Sequence, residues 1–327
     1  MTEQISIIVP VYNNAQELPR CLNSILAQEQ VNVQILAVND GSCDASGRIL
    51  DAYGEKFANI QVIHQENRGV TAARMAGVAA ATGTYIGFVD ADDAVDPHMY
   101  RQLLQNLKES GADIAHSGFR MAFSDGRERC FYNTGAVELH DRTKALQELL
   151  SGQRIEPSLC TKLFRRELFS GLQAQMPEDF HTNEDLLMNF LLFSRAKTAI
   201  YADFCPYIYQ VRADSASRRP LDPGRIWDPI GVRQRILAAA PQSVQTDARR
   251  ALLATCVNVY NSLVPGRCGQ WKPDRKRIRG MILQQADQRK LLSRRQRLCA
   301  WLIQFAPWLY APLYRVYAKY FQKNPYL

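Results

Sequence analysis

The stretch "ISIIVPVYNNAQELPRCLNSILAQ", Ile5 to Gln28, carries two periodicities in succession. Ile5 to Val11 is a short apolar run with β-branched residues on both faces, the pattern of a parallel strand covered by helices on both sides. Past a polar turn, Leu18, Cys21, Leu22, Ile25 and Leu26 recur at helical spacing. The alternation continues through "VQILAVND" (33–40), a helix from about Ser46 to Phe57, "IQVIHQ" (60–65), the alanine-rich "TAARMAGVAAATG" (71–83) and "YIGFVDADD" (85–93). A helix near Met99 to Glu109 and a strand "DIAHSGF" (113–119) follow. Strands alternating with helices predict an α/β fold around a largely parallel sheet.

In such sheets ligands gather outside the carboxyl ends of the strands. Those ends are polar here: "PVYNN", "NDGS", "QENRG" and "DADD". Any one of them reads equally as a turn or a helix cap; four together predict one crevice. The crevice has neither a P-loop lysine motif nor a G-x-G-x-x-G after the first strand, which disfavours both of those phosphate cradles. Asp90, Asp92 and Asp93 would repel one another unless a cation or hydrogen bonds compensate. A hard divalent ion shared with diphosphate oxygens is one compensation. The other reading is a capped helix at "DDAVDPHMY", which accounts for Asp96 but not for the whole cluster.

The 327 residues suffice for one large core or for a domain with an appendage. Residues 1–217 hold 19 Lys and Arg against 27 Asp and Glu, a net of −8, while residues 218–327 hold 21 against 5, a net of +16. An acidic front and a basic tail predict chemistry in front and contact with an anionic surface behind. The eight cysteines show no C-x-x-C pair and no zinc spacing with histidine, so reduced thiols in a cytosolic protein are expected. The N-terminus lacks the basic and long apolar regions of a secretion signal. There is no G-x-S-x-G elbow.

Four ordered segments carry a family resemblance: "SIIVPVYNNAQELPRCLNSILAQ", "VNDGSCDASGRIL", "NRGVTAARMAG" and "GTYIGFVDADD". Together they resemble the family 2 glycosyltransferases, inverting enzymes of the GT-A fold, over about residues 4–120 and more loosely to about Arg218. The resemblance implies a Rossmann-like mixed sheet flanked by helices, followed by a basic helical extension. It implies that Pro10, Tyr12 and Asn13 wall the pocket for the nucleotide base and that Asp40 accepts a hydrogen bond from uracil. Asn67, Gly69, Ala73, Arg74 and Gly77 match a donor-binding segment in which Met75 replaces the usual asparagine. Asp90, Asp92 and Asp93 match the DxD motif, with Mn2+ or Mg2+ on Asp92 or Asp93. In the second half, "FHTNEDLLMNF" resembles the segment where Asp185 is the base and Glu184 an acceptor contact; a capped first helical turn is the alternative. Arg212 matches a basic position near the diphosphate, and Gln210 stands where a second arginine is usual. "SLCTKLFRRELF" resembles a segment beside the acceptor, with Lys162 read as flanking a core helix through Leu163 and Phe164.

The expected organisation is a catalytic domain over 1–217, with a nucleotide-sugar half at about 1–120 and an acceptor half at about 121–217, and a basic, aromatic-rich helical region over 218–327. In the tail, Leu298, Leu302, Phe305, Leu309, Leu313, Val316 and Tyr320 recur on one helical face. The uncharged run from Leu298 to Tyr314 is interrupted by Pro307 and Pro312. It reads as an amphipathic element on an anionic membrane through 275–323, or as a packed subdomain or homo-oligomer contact. No nucleic-acid module accompanies the charge. The whole predicts a UDP-sugar-dependent, metal-dependent transferase acting on a glycan or lipid-linked acceptor of capsule, lipopolysaccharide or exopolysaccharide, in the cytoplasm and peripheral on the inner face of the plasma membrane. The alternative is a catalytically silent nucleotide-sugar-binding component of a membrane-associated assembly complex.

Overall fold

The computed structural model describes residues 3–130, 133–152, 154–177, 180–212, 220–264 and 269–320. The chain divides into two compact units, Met1–Pro220 and Leu221–Leu327. The boundary expected at 217/218 lies outside the described residues.

The first unit begins β1 (Gln4–Val11), α1 (Leu18–Leu26), β2 (Asn32–Asp40), α2 (Ser46–Lys56), β3 (Ile60–Gln65), α3 (Val70–Ala80), β4 (Tyr85–Phe88), β5 (Ala94–Val95), α4 (Met99–Ser110) and β6 (Ile114–Ala122). It continues with β7 (Glu128–Cys130), β8 (Val137–Asp141), α5 (Arg142–Ser151), β9 (Lys162–Arg165), α6 (Glu184–Arg195) and β10 (Thr198–Gln210). The strands form one mixed sheet in the order β3-β2-β1-β4-β9-β6-β10-β5, with β7 on β6 and β8 on β10. β3, β2, β1 and β4 are mutually parallel, so their carboxyl ends share one edge. β1 is buried along its length past Gln4, which explains why apolar residues occupy both of its faces. Helix α3 lies close against it because position 77 is glycine: a Cβ there would stand 2.5 Å from Ile8 Cγ2.

One element departs from the sequence reading. The segment around Lys162 is expected beside a core helix, yet residues 162–165 form β9, antiparallel to both β4 and β6. Leu163 and Phe164 are fully buried, as the core reading requires. Four residues are too few for periodicity to tell strand from helix, and the unpaired edges of β4 and β6 decide the outcome.

The second unit is helical: α7 (Pro223–Ala239), α8 (Gln245–Ser262), α9 (Lys272–Gln284), α10 (Arg294–Phe305) and α11 (Pro307–Tyr320). It has a core of its own, in which Ile226, Ile230, Leu253, Val257, Ile278 and Ile303 are buried together. The single apolar face expected over Leu298 to Tyr320 is divided, since α10 ends at Phe305 and α11 starts at Pro307. Ala300, Ile303, Tyr310 and Tyr314 face the core, and Leu302 packs against it. Leu298, Trp301, Phe305, Trp308, Leu313 and Val316 are exposed. The side chain of Tyr320 and residues 321–323 lie outside the described residues. Among those described, no helix is long and apolar enough to cross a membrane.

Candidate active site

A crevice of about 570 Å³ opens at the carboxyl ends of the parallel strands, and Pro10, Tyr12, Asp40, Asn67, Gly69, Arg74, Asp90, Asp92 and Asp93 all line it. β1 delivers the first two, β2 ends in Asp40, and β4 runs out into the three aspartates. Asn13 does not line it. Its backbone is left-handed at φ 54, and its Oδ1 accepts from Cys43 N at 2.8 Å, so the side chain turns to the β2–α2 loop and Asn14 faces the crevice instead.

Asp40 is buried and gathers the β3–α3 turn. Its Oδ1 accepts from Gln65 Nε2 at 2.7 Å and Arg68 N at 2.9 Å, and its Oδ2 from Gly69 N at 2.9 Å. Gly69 sits at φ 85, a conformation that disfavours side chains, and α3 begins at the next residue. Asp40 thus shapes the wall as well as lining it, with one more acceptor position on Oδ2.

Among the aspartates, the structure divides the work that the sequence left open. Asp93 is 2% exposed; its Oδ2 accepts from Tyr207 OH at 2.6 Å and its Oδ1 from Gln210 N at 2.9 Å. Each oxygen already takes a bond from inside the protein, and of the two residues expected at a metal Asp92 is the more open to the crevice, its side chain 29% exposed. Burial, with Asp92 and Asp90 nearby, pushes its carboxyl well above the usual range. Asp92 is raised as well, by burial and by Asp90, with Arg212 opposing. Arg212 bridges Asp92 Oδ2 at 2.9 Å and Glu17 at 2.8 Å. Asp96, expected at a helix cap, instead forms a two-pronged ion pair with Arg120, both contacts at 2.7 Å.

Asp90 and Asp92 each commit one oxygen to an arginine. Among the described residues no three His, Cys, Asp or Glu side chains converge on a common point. Asp90 and Asp92, each with an oxygen not committed to an arginine and both lining the crevice, fit the half-shell that Mg2+ or Mn2+ takes when diphosphate oxygens complete it.

Arg74 organises the rest. It is 3% exposed, and its Nη2 meets Asp90 at 3.2 Å while its Nη1 meets Glu184 at 3.1 Å and also bonds Asp185. Burial opposes its charge, but Asp185, Asp90 and Glu184 more than compensate, and its pKa is held well above the usual value. The guanidinium therefore joins the end of β4 to the first turn of α6. Burial raises Asp185 to about 7, Glu184 and Asp90 add to the rise, and Arg74 and the Leu159 amide oppose it. Asn183, the residue before α6, makes no side-chain cap bond, while Glu184 and Asp185 occupy the first turn, where acids also complement the helix dipole.

Sequence reasoning missed Tyr207, Phe180, His181 and Tyr209, and read Gln210 only as an absent arginine. Tyr207 braces the DxD turn, bonding Asp93 and accepting from Asp90 N at 3.3 Å. Gln210, at the position of the missing arginine, receives Arg20 Nη1 at 2.6 Å and donates to Ala122 O at 3.1 Å, so it is a brace for the same turn. Phe180, His181 and Tyr209 also line the crevice. All come from the half of the unit where chain order says least about neighbourhood.

The sequence model described as "Glycosyl transferase family 2" matches residues 6–172. The uncharacterized glycosyltransferase EpsJ of Bacillus subtilis is 35% identical over 68% of this chain and 65% of its own. The succinoglycan biosynthesis protein ExoO of Rhizobium meliloti is 28% identical over 65% of this chain and 62% of its own. The chain thus spans somewhat under two thirds of the length of these relatives. Among solved structures, S. aureus TarS 1–349 in complex with UDP superposes at a TM-score of 0.71, with 20% identity, over 97% of this chain and 90% of that one. The same protein with UDP-GlcNAc gives 0.69. The likeness is one of fold, the GT-A arrangement of a mixed sheet flanked by helices.

Proposed function

The chain belongs to glycosyl transferase family 2, and from that premise we propose that it transfers a sugar, with inversion, from a UDP-sugar to a glycan or lipid-linked acceptor of a cell-surface polysaccharide. The observation that carries the reading is Arg74, which lines the crevice and ties the DxD end of β4 to Asp185, itself outside the lining. The complexes of the TarS neighbour with UDP and UDP-GlcNAc support the donor class, and the name of ExoO supports the polysaccharide setting.

Pro10, Tyr12 and Asn67 flank the base and ribose, and Asp40 offers its remaining acceptor position to uracil N–H. Asp90 and Asp92 would hold Mn2+ or Mg2+, which neutralises charge on the departing diphosphate. Arg212, already against Asp92, turns its guanidinium to the same phosphate oxygens. An acceptor hydroxyl attacks the anomeric carbon as the bond from that carbon to the diphosphate breaks; UDP leaves with the electron pair, and the hydroxyl proton passes to Asp185. A raised carboxyl suits that role, because a base that titrates near the working pH is both ionised and basic enough to take the proton. Arg74 aims it, and Glu184 beside it receives the acceptor.

The second unit supports a location on the inner face of the plasma membrane. The aromatic stripe of α10 and α11 is exposed, and Arg294, Arg295 and Arg297 are exposed at its start. Aromatic side chains favour the headgroup level, and each basic residue near an anionic leaflet adds about 1 kcal/mol.

A panel of UDP-sugars assayed for UDP release with and without Mn2+ tests the reading. One sugar should stand out, with release dependent on the metal. Absence of UDP binding by calorimetry across the panel would defeat it.

A further inference from the structure

β9 opens on a lysine with no water to face. Lys162 is 0% exposed, and its Nζ donates to Glu156 O at 2.7 Å, to Ser158 O, and to Thr161 Oγ1 at 3.3 Å. An ammonium has three hydrogens, and all of them are spent on one turn, residues 156–161. A lysine that merely filled space would not gather main-chain carbonyls in this way. The turn is pinned to β6 by Ser117 N, which donates to Thr161 O at 3.0 Å.

The same turn packs against the start of α6. Asn189 Nδ2 donates to Pro157 O at 2.6 Å and to Asp185 O at 3.1 Å. Asn189 thereby ties the turn to the main chain of Asp185 itself. Asp185 is therefore held from two sides, its carboxylate by Arg74 and its main chain by the Asn189 amide, which is anchored on the turn.

We infer that Lys162 is a positioning residue for the transfer: its buried ammonium folds the 156–161 turn so that Asn189, bonded to both Pro157 O and Asp185 O, fixes the first turn of α6 and with it the Asp185 carboxylate against Arg74. This rests on the reading of Asp185 as the base. Lys162 faces Glu156 and Cys160 from the turn, Asp185 from α6 and His116 from β6. Asp185 in turn faces Arg74, Glu184 and Asp90. Burial lowers Lys162 to about 8, with Glu156, Asp185 and Cys160 opposing. Above that pH the neutral amine has one hydrogen fewer, and the turn loses a tie. Turnover should accordingly rise as pH passes about 7 and fall again past about 8.

The test is Lys162→Met in the full chain, with three readouts: amide hydrogen exchange over 155–161, UDP affinity by calorimetry, and the pH profile of UDP release from UDP-GlcNAc with Mn2+. Exchange over 155–161 should quicken, UDP affinity should stay within twofold, and release should drop about ten- to a hundredfold, the scale of a misplaced catalytic group, with its alkaline fall gone. A folded variant with unchanged exchange and unchanged release overturns the inference. The exchange readout does not depend on which sugar the donor carries. Should Lys162→Met not fold, Glu156→Gln removes the carboxylate that favours the ammonium, and the alkaline fall should move to lower pH; an unmoved fall overturns the inference. Asp185→Asn separates the two readings. If that variant keeps its turnover, both readings fall, whereas loss of turnover in Asp185→Asn with none in Lys162→Met removes only the role of the lysine.

Discussion

The two units of the chain break the ordinary distribution of side chains in opposite senses. The first buries charge: Arg74 is enclosed among Asp90, Glu184 and Asp185, and Asp93 is sealed behind Tyr207. The second exposes apolar surface, with Trp308 76% and Trp301 49% accessible. Charged residues are seldom fully buried unless paired, as Arg74 is, and large contiguous apolar patches are seldom left in water; on the proposed function each feature serves a contact with something else. The sign of each departure points to its partner. A crevice with more carboxylates than arginines asks for a cation and the phosphates that come with it. On the same proposal, an aromatic stripe that starts among arginines meets a surface both oily and anionic.

The comparison breaks first at Asp185. Asp185→Asn keeps the shape of the side chain and a contact for Arg74 but cannot accept the proton. UDP release should fall by about 10²–10⁴, the range for loss of a general base, with UDP affinity by calorimetry within twofold. Equal loss of both would mean that Asp185 holds the donor and is not the base. Removing the cation tests the burial itself. Arg74→Met leaves three carboxylates without their guanidinium, which should cost about 3–5 kcal/mol of stability at pH 8 by denaturant titration. Carboxyls relieved of a cation bind protons more readily when folded than when unfolded, so the deficit should shrink as pH falls toward 5. A variant as stable as the parent at pH 8 would show that the network contributes nothing to the fold. A smaller effect needs no mutation. The base must be ionised, and its folded pKa is raised to about 7, so turnover should fall about tenfold per pH unit below 7 while circular dichroism stays unchanged. A flat profile down to pH 5.5 would assign the proton transfer elsewhere.

How much of this the sequence discloses depends on whether the signal is local. β1 to β4 and the helices between them announce themselves by periodicity, and their parallel order places Pro10, Asp40, Asn67 and Asp90 together without further information. β9 is four residues long and inserts between strands distant in the chain, so nothing near Lys162 in sequence marks it as a strand or shows that its ammonium would close a turn under α6. The roles of Asp92 and Asp93 are illegible for the same reason. They are neighbours of one type, and only Tyr207 and the Gln210 amide, more than a hundred positions away, distinguish the inward one from the outward one. Asn13 and Asn14 differ by a single left-handed residue, which no composition rule assigns. In the tail, the sequence period predicts one apolar face, but Pro307 resets the phase between α10 and α11, and both sides of the pair then carry apolar residues.

The smallest expected effect lies on that exposed stripe, and it is the one that separates binding surface from core. Trp301→Ala with Trp308→Ala removes apolar surface outside the core, since the first side chain is half in water and the second mostly so. Its stability should stay within about 0.5 kcal/mol, as surface changes generally do. Burying a large apolar side chain is worth about 1.5–3 kcal/mol, so sedimentation with vesicles of phosphatidylglycerol and phosphatidylcholine should weaken by about one to two orders of magnitude for the pair, allowing for partial burial at the headgroup level. Raising the salt should weaken the parent in the same direction, because the arginines at the start of α10 act through a screened potential. Ile303→Ala, on the opposite face of α10, is the counterpart. Ile303 is fully buried, so its loss should cost about 2–5 kcal/mol of stability and leave vesicle sedimentation of the folded protein as it was. If the tryptophan pair sediments like the parent and Ile303→Ala does not, the stripe covers protein and not lipid, and the contrast between the two units dissolves into one between two kinds of packing.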